Sequence, residues 1–147
     1  MDSASDPIWE RAKFLADRPC SVRSIMILIL LDLDAQMGNT GSAHLIHAVQ
    51  EAVDADQIHI VTSELFETVR QKYDPGASFE SIDFAIRTLF RTAWKNRQEE
   101  VWKRYFPTRI VYGRKPPGNV DAIGALVSFV YLCQDLCGME AVCHGSK

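Results

Sequence analysis

The side chains with the most evident binding chemistry lie between residues 78 and 95. At helical spacing, one face of this stretch carries hydroxyl, aromatic and cationic groups: Ser81, Phe84, Arg87, Thr88, Arg91 and Lys95. Arginine and lysine bind phosphate oxygens, and arginine or small polar groups also reach the edges of nucleic-acid bases. The pattern therefore predicts an anion-binding face.

The other face of the same stretch predicts the helix that would position these groups. Apolar residues recur along it with the period of a buried helical stripe: Ile82, Ala85, Ile86, Leu89, Phe90, Ala93 and Trp94. Ser78 stands just before the stripe and is a suitable N-cap. We expect one amphipathic helix that buries this stripe and exposes the basic face.

Phe84 stands out on this polar face, and three interpretations of it are open. A phenylalanine in the major groove of DNA can press on a thymine methyl group. An exposed aromatic ring can also belong to an apolar contact with another protein. The third interpretation is that Phe84 folds back onto the neighbouring turn as half-buried core.

Charge is unevenly distributed along the chain. Residues 1–86 contain six Lys or Arg and fourteen Asp or Glu, whereas residues 87–115 contain nine Lys or Arg and two Glu. The second segment thus has a formal charge of +7 in a chain whose total is −3. Such a segment is expected of an anion-binding face, but a solvated pair of helices also clusters Arg and Lys. Charge alone leaves both interpretations open.

Composition is that of a soluble globular domain, with 147 residues of which 47% are hydrophobic and 24% charged. The longest apolar run, residues 25–31, is too short for a membrane span, which needs about 20 residues, and no secretory signal opens the chain. We therefore expect a cytoplasmic protein without a membrane partner. Phosphate-binding loops, dinucleotide fingerprints and nucleophile elbows are absent from the sequence, so we predict no enzyme, catalytic residue or cofactor.

The C-terminal tail places four soft metal ligands close together: Cys133, Cys137, Cys143 and His144. A structural zinc site needs four such groups, but this spacing matches no standard zinc knuckle or ribbon. We expect ordinary thiols and no bound metal.

Periodicity and capping signals predict an all-α fold, a six- to seven-helix bundle with an embedded helix-turn-helix. The predicted helices are 5–19 capped by Asp6, 21–38 closed by Gly38, 42–56 capped by Ser42, 62–73 capped by Thr62, 78–95, 96–107 ended by Pro107, and 119–136 capped by Asn119. Residues 108–119 are expected to be extended or irregular. Helices 62–73 and 78–95, joined by the turn 74–78, would form the helix-turn-helix.

Three motifs, "VTSELFETVRQKY", "AIRTLFRTAW" and "GRKPPGNVDAIGALV", resemble the C-terminal DNA-binding domain of the stage-zero master regulator of sporulation in endospore-forming bacteria. The similarity runs from about residue 22 to residue 130. It implies a six-helix bundle that binds double-stranded DNA at a short promoter box, with a homodimer on tandem sites. Members of that family carry a phosphorylated receiver domain ahead of this module, and the resemblance here implies a stand-alone effector domain.

The resemblance also implies roles for individual residues. Arg87 aligns with an arginine of the recognition helix, and Asp83 stands where the family has a glutamate near a base edge. Ser81 and Phe84 stand where the family has arginines. The predicted base contacts are therefore Ser81, Asp83, Phe84 and Arg87. The predicted phosphate contacts are Thr62, Thr88, Arg91, Lys95, Arg114 and Lys115, with Arg97, Lys103, Arg104 and Arg109 as further cations of the basic segment.

Two hypotheses follow from the sequence. In the first, residues 21–134 are a DNA-binding regulator, flanked by an N-terminal extension with a short helix, residues 1–20, and a tail, residues 135–147. In the second, the module has lost DNA binding and contacts a partner protein, such as a related regulator, through the Phe84 face. The basic segment favours the first hypothesis, whereas the two absent arginines and the acidic remainder favour the second.

Overall fold

The computed structural model describes residues 6–17 and 21–143, with side chains described as far as Cys137. This part of the chain contains only helices: α1 (Pro7–Ala16), α2 (Val22–Asp32), α3 (Thr40–Asp54), α4 (Thr62–Tyr73), α5 (Phe79–Lys95), α6 (Glu99–Trp102), α7 (Thr108–Val111) and α8 (Asn119–Cys143). The predicted all-α class is confirmed. Two single-turn helices, α6 and α7, bring the number of described helices to eight.

The amphipathic helix predicted from the sequence is α5. Ile82, Ile86, Leu89, Phe90 and Ala93 are buried, as the apolar stripe predicts. This stripe packs against α3, α4 and α8. The opposite face of α5 is therefore directed away from the core.

Helices α4 and α5 are joined by residues 74–78, and a capping box fixes the start of α5. The Ser78 hydroxyl accepts a hydrogen bond from the Ser81 backbone N–H at 3.1 Å, and the Ser81 hydroxyl accepts one from the Ser78 N–H at 3.0 Å. Two of the N–H groups left free at the helix start are thus satisfied. The predicted role of Ser78 is confirmed.

Helix α3 is the central element and packs on α2, α4, α5 and α8. Its first turn approaches α5 so closely that a Cβ atom on Gly41 would lie 2.6 Å from the carbonyl oxygen of Ala85. Only glycine allows this approach without moving a helix. The absence of a side chain at Gly41 thereby allows the short distance between α3 and α5.

Polar contacts hold α4 on α3. Glu51 accepts hydrogen bonds from Lys72 Nζ at 2.8 Å and from the Tyr73 hydroxyl at 2.7 Å. The hydrogen bond to the Glu51 carboxylate raises the pKa of Tyr73 to about 12. His47 stacks on Tyr73 with ring centroids 3.8 Å apart.

Helix α1 packs along α8 and buries Ala12, Leu15 and Ala16 in the same core. Residues 119–137 of α8 are apolar and long enough to cross a membrane, with a mean hydropathy of 1.5, which core helices of soluble proteins also show. Here Ile123 and Val130 are fully buried against the other helices. Helix α8 thus serves as a core element that continues beyond residue 134.

Several predicted helix ends are wrong. Helix α2 ends at Asp32 rather than at Gly38, because Asp34 adopts the left-handed conformation with φ of 59° and the Ala35 N–H bonds back to the Leu30 carbonyl. Helix α3 is capped by Asn39 rather than Ser42, since the Asn39 carboxamide oxygen accepts from the Ser42 N–H at 2.9 Å.

The predictions for Thr62, Pro107 and Asn119 are also corrected. Thr62 lies inside α4, whose N-cap is Val61, and the Val61 side chain forms no capping bond. The short helix α6 ends at Trp102, and Pro107 instead stands before α7, a single turn where extended chain was expected. Pro107 is the N-cap of this turn, with extended backbone angles of φ −65° and ψ 158°. Asn119 is the first residue of α8.

Candidate nucleic-acid interface

The exposed face of α5 carries the side chains that the sequence singled out. Ser81, Arg87, Arg91 and Lys95 are exposed, and 62% of Phe84 is accessible to solvent. The interpretation of Phe84 as half-buried core is therefore wrong. The two interpretations that place its ring against another molecule remain.

Ser81 is exposed, but its hydroxyl already has internal partners. Its oxygen donates to the Ser78 carbonyl at 2.9 Å while it accepts from the Ser78 N–H. A hydroxyl has one proton to donate. Ser81 can therefore offer another molecule only an acceptor while the capping box is intact.

Asp83 faces its own protein as well as solvent. Its carboxylate accepts a hydrogen bond from Arg87, four residues along α5, and a second from Asn119 Nδ2 at 2.9 Å. The same amide nitrogen donates to the Asp83 carbonyl, also at 2.9 Å. Only 18% of the Asp83 side chain is exposed, compared with 48% of the Arg87 side chain. Arg87 is the more accessible partner of this pair.

Arg97 has a structural role at the end of α5. Its guanidinium lies 3.6 Å from the centre of the Trp94 ring and donates to the carbonyls of Trp94 and Val111 at 3.2 and 3.1 Å. These bonds satisfy a carbonyl in the last turn of α5 and tie that end to α7.

Arg104 also serves the fold. Its Nη1 donates to both carboxylate oxygens of Asp32 at 3.0 and 2.8 Å, and the buried Tyr105 hydroxyl donates to the same carboxylate at 2.6 Å. Arg11 lies 3.6 Å from Asp32 and donates its Nε proton to Tyr105. Burial raises the pKa of Asp32, but hydrogen bonds from Tyr105 and Arg104 outweigh it and lower the pKa overall. The cluster joins α1, α2 and the segment after α6.

Two further cations of the basic segment have weaker partners. Lys103 lies 3.3 Å from the Glu100 carboxylate and 5.2 Å from the centre of the Tyr112 ring. Arg109 lies 4.0 Å from Asp121, and both side chains are more than half exposed. Contacts of this kind contribute little to stability. Arg109 stays accessible, with 69% of its side chain exposed, whereas only 26% of the Lys103 side chain is exposed.

Apart from Arg97, four cations of the basic segment form no ion pair within the described residues: Arg91, Lys95, Arg114 and Lys115. All four are exposed. Arg91 and Lys95 continue the face of α5 that begins with Phe84 and Arg87, at intervals of about one helical turn. Their charges are therefore available to an anion.

Arg114 and Lys115 belong to the loop 112–118, which connects α7 to α8. Arg97 holds the residue before this loop, through the Val111 carbonyl, and Asn119 attaches the residue after it to Asp83. The two ends of the loop are thus anchored near opposite ends of α5. The sequence placed these two cations on an irregular segment, and the structure ties the residues on either side of that segment to the two ends of α5.

A groove of about 250 Å³ separates Phe84 from the start of α3. Its walls include Asn39, Gly41, Ala85 and Thr88. The Thr88 hydroxyl is buried and has no hydrogen-bond partner among the described residues. Thr62 is half-buried in the first turn of α4, where no side chain caps the helix.

Asn119 is the residue of this surface whose role the sequence did not indicate. An asparagine before an apolar helix predicts an N-cap. The Asn119 amide instead donates to Asp83, 36 positions away along the chain. Among the described residues, no three His, Cys, Asp or Glu side chains are placed to hold a metal ion. Cys133 is buried and Cys137 exposed, whereas the Cys143 side chain and His144 lie outside the described residues.

Comparison with known proteins supplies the family. Searches of curated proteins and of solved structures returned no match. The family model described as "Sporulation initiation factor Spo0A C terminal" matches residues 26–130, which include α3 to α7 and most of α2. This is a family of DNA-binding regulatory domains and not of enzymes. The match covers more than half of the chain and includes the helix-turn-helix and the loop 112–118, so the protein belongs to the Spo0A C-terminal domain family.

Proposed function

We propose that this protein is a sequence-specific transcriptional regulator of the cytoplasm that reads the major groove of DNA with α5. The observation that carries the proposal is the continuous exposed face of α5 from Phe84 to Lys95, flanked by the loop that bears Arg114 and Lys115. Residues 21–134 would be the DNA-binding unit, with flanking segments 1–20 and 135–147.

The proposed base contacts are not equivalent. Arg87 has free guanidinium N–H groups and is suited to the O6 and N7 acceptors of guanine. Phe84 is suited to a thymine methyl group, which would give this protein a site different from one read by arginine at that position. Ser81 would contribute as an acceptor, and Asp83 could accept from cytosine only at the cost of its present hydrogen bonds.

The proposed phosphate contacts surround this reading face. Arg91 and Lys95 extend it along α5, and Arg114 and Lys115 flank it from the loop. Thr62 lies at the N-terminus of α4, where uncapped backbone N–H groups suit a phosphate. Thr88 lines the groove with its hydroxyl buried, and would reach a phosphate only after its side chain rotates. A homodimer on tandem sites would double these contacts.

Fluorescence anisotropy tests the proposal directly. Duplexes would first be selected from random sequence by the wild-type protein, and the best duplex and a scrambled one would then be titrated at two salt concentrations. We expect preference for the selected duplex, with log K falling against log salt by about 0.9 for each phosphate neutralised. Failure to bind any duplex at low salt would refute the proposal.

A protein-interaction module is the second candidate function, and the exposure of Phe84 beside the groove favours it. An exposed aromatic ring next to a partly apolar groove suits a side chain of a partner, such as a related regulator. Phe84→Arg distinguishes the two functions. If α5 reads DNA, the variant should still bind duplexes through Arg87 and the phosphate contacts, with a changed preference at the base that the ring contacts. If the module binds a partner protein through the ring, the folded variant should lose the partner and the wild type should bind no duplex.

A further inference from the structure

We propose that Asn119 is a positioning residue that fixes Arg87 for guanine through Asp83 and joins this contact to the phosphate-binding loop. The inference rests on the proposed DNA-binding function and concerns how that surface is held in its binding geometry. It is carried by the hydrogen bonds that connect Asn119, Asp83 and Arg87.

The orientation of the Asn119 amide is determined by its neighbours. Its Nδ2 donates to two oxygen atoms of Asp83, one from the backbone and one from the carboxylate, each at 2.9 Å. A flipped amide would place its own oxygen against these two acceptors, which cannot donate to it. Asn119 is 6% exposed and the Asp83 side chain 18%, so these bonds are largely shielded from water. Asp83 is thereby fixed relative to both α5 and α8.

Asp83 in turn restrains Arg87. One carboxylate oxygen of Asp83 accepts from Asn119 and the other from Arg87 Nη2. The carboxylate therefore cannot rotate freely, and the guanidinium that it holds has fewer conformations before DNA arrives. An arginine side chain carries considerable rotamer entropy, and ordering it in advance lowers the cost of binding. The guanidinium N–H groups not used by Asp83 remain available to guanine.

The same bonds extend this effect to the phosphate contacts. Asn119 ends the loop 112–118, whose other end is attached to α5 through Arg97 and the Val111 carbonyl. Loss of the Asn119 hydrogen bonds would therefore affect two elements at once. The Arg87 side chain would be less restrained, and the C-terminal end of the loop, which follows Lys115, would no longer be attached to α5. Base reading and backbone contact would depend on one buried amide.

A double-mutant cycle with Asn119→Ala and Arg87→Ala tests the relay. The readout, measured for each protein, is the ratio of its affinity for the selected duplex to its affinity for the same duplex with 7-deazaguanine at the contacted guanine. We expect Asn119→Ala to reduce this ratio about tenfold in the wild-type background and to have almost no further effect in the Arg87→Ala background. Equal effects in both backgrounds would refute the relay.

Two further variants separate positioning from folding. Asp83→Asn retains an acceptor for Asn119 but removes the charge that holds Arg87, and should reproduce the loss of preference while the protein stays folded. Asp121→Asn changes an exposed residue of the same first turn of α8 and should leave the preference unchanged. If Asp83→Asn retains the full preference, Asp83 does not transmit the effect.

A measurement without DNA distinguishes failure of the relay from failure of the proposed function. The order parameter of the Arg87 Nε–H group, measured by NMR in the free protein, should be high in the wild type and fall in Asn119→Ala. An unchanged value would refute the relay even if the protein binds DNA. A fall in the order parameter together with no binding of the wild type to any duplex would support the restraint and refute its role in base reading.

Discussion

Two sets of cations in the same basic segment serve opposite purposes. Arg97 and Arg104 are held by backbone carbonyls, an aromatic ring and the Asp32 carboxylate. We call these the structural cations. Arg91, Lys95, Arg114 and Lys115 are exposed and form no ion pair within the described residues, and we call them the free cations. Each residue of either set adds one positive charge to the formal total, but only the free cations are available to a ligand.

This difference changes how the charge of +7 is understood. Asp32 lies outside the segment in sequence, 72 positions before Arg104, yet it neutralises charge within it. Asp83 similarly offsets Arg87 from just outside the segment. A local charge count therefore locates a basic region but overstates the charge that it presents. The following substitutions test the division between structural and free cations.

The largest expected effect is on stability, from Asp32→Ala. This change removes the acceptor shared by Arg104 and Tyr105 and leaves donors in a partly buried cluster without it. We expect the free energy of unfolding to fall by about 3 kcal/mol, measured by denaturant titration. The salt dependence of DNA binding by the folded variant should stay the same.

Asp121→Ala is the matched control for this prediction. It also removes a carboxylate paired with an arginine, but the pair is exposed and 4.0 Å apart. We expect a change below about 0.5 kcal/mol. A similar loss of stability in both variants would contradict the special role assigned to the Asp32 cluster.

The next effect is on DNA affinity, from the double variant Arg91→Ala and Lys95→Ala. If both side chains contact phosphates, the slope of log K against log salt should become less steep by about 1.8. The free energy of unfolding should change by no more than about 0.5 kcal/mol, because neither side chain has an internal ion pair among the described residues.

A control variant with the same change in net charge is Lys13→Ala with Arg23→Ala, which lie on α1 and α2. It should leave the salt slope almost unchanged. An equal reduction in both double variants would mean that overall charge, and not the face of α5, governs binding.

The comparison also shows which features the sequence could predict. The buried stripe of α5 and the Ser78 cap depend on residues within one helix, and both were predicted correctly. The end of α2 was not predicted correctly, because it depends on Asp34 adopting the left-handed conformation, which glycine usually takes. Arg104 with Asp32 and Asn119 with Asp83 join residues 72 and 36 positions apart, and periodicity carries no information about such pairs. The sequence therefore predicted which face of α5 is exposed, but not which of the charges near it are engaged by other side chains.

The smallest effect concerns two groups whose protonation burial disfavours, His44 and His47 in α3. Burial lowers the pKa of His44, although Asp74, 3.8 Å away, partly offsets this. Burial, with the nearby His44 and Arg23, lowers the pKa of His47, and Glu51 partly offsets the decrease. Both histidines lie under the end of α4, next to the turn that leads to α5.

The sign of the pH dependence follows from these directions. A histidine with a lower pKa in the folded state binds protons more readily when the chain is unfolded. Stability should therefore be complete above the unfolded pKa of about 6.5 and decrease as the pH falls towards the folded pKa values. Glu51 and Asp32, whose pKa values are also lowered in the fold, add a separate loss of stability only as the pH falls through the range of carboxylates.

Thermal unfolding from pH 8 to pH 4 in the wild type and in His44→Gln with His47→Gln separates these two ranges. The double variant should lose the decrease just below pH 6.5 and retain the one at lower pH. His59→Gln, which removes an exposed histidine, should behave as the wild type. If the double variant keeps the first decrease, the two histidines are not its source, and the end of α4 is not where acid first weakens the helix-turn-helix.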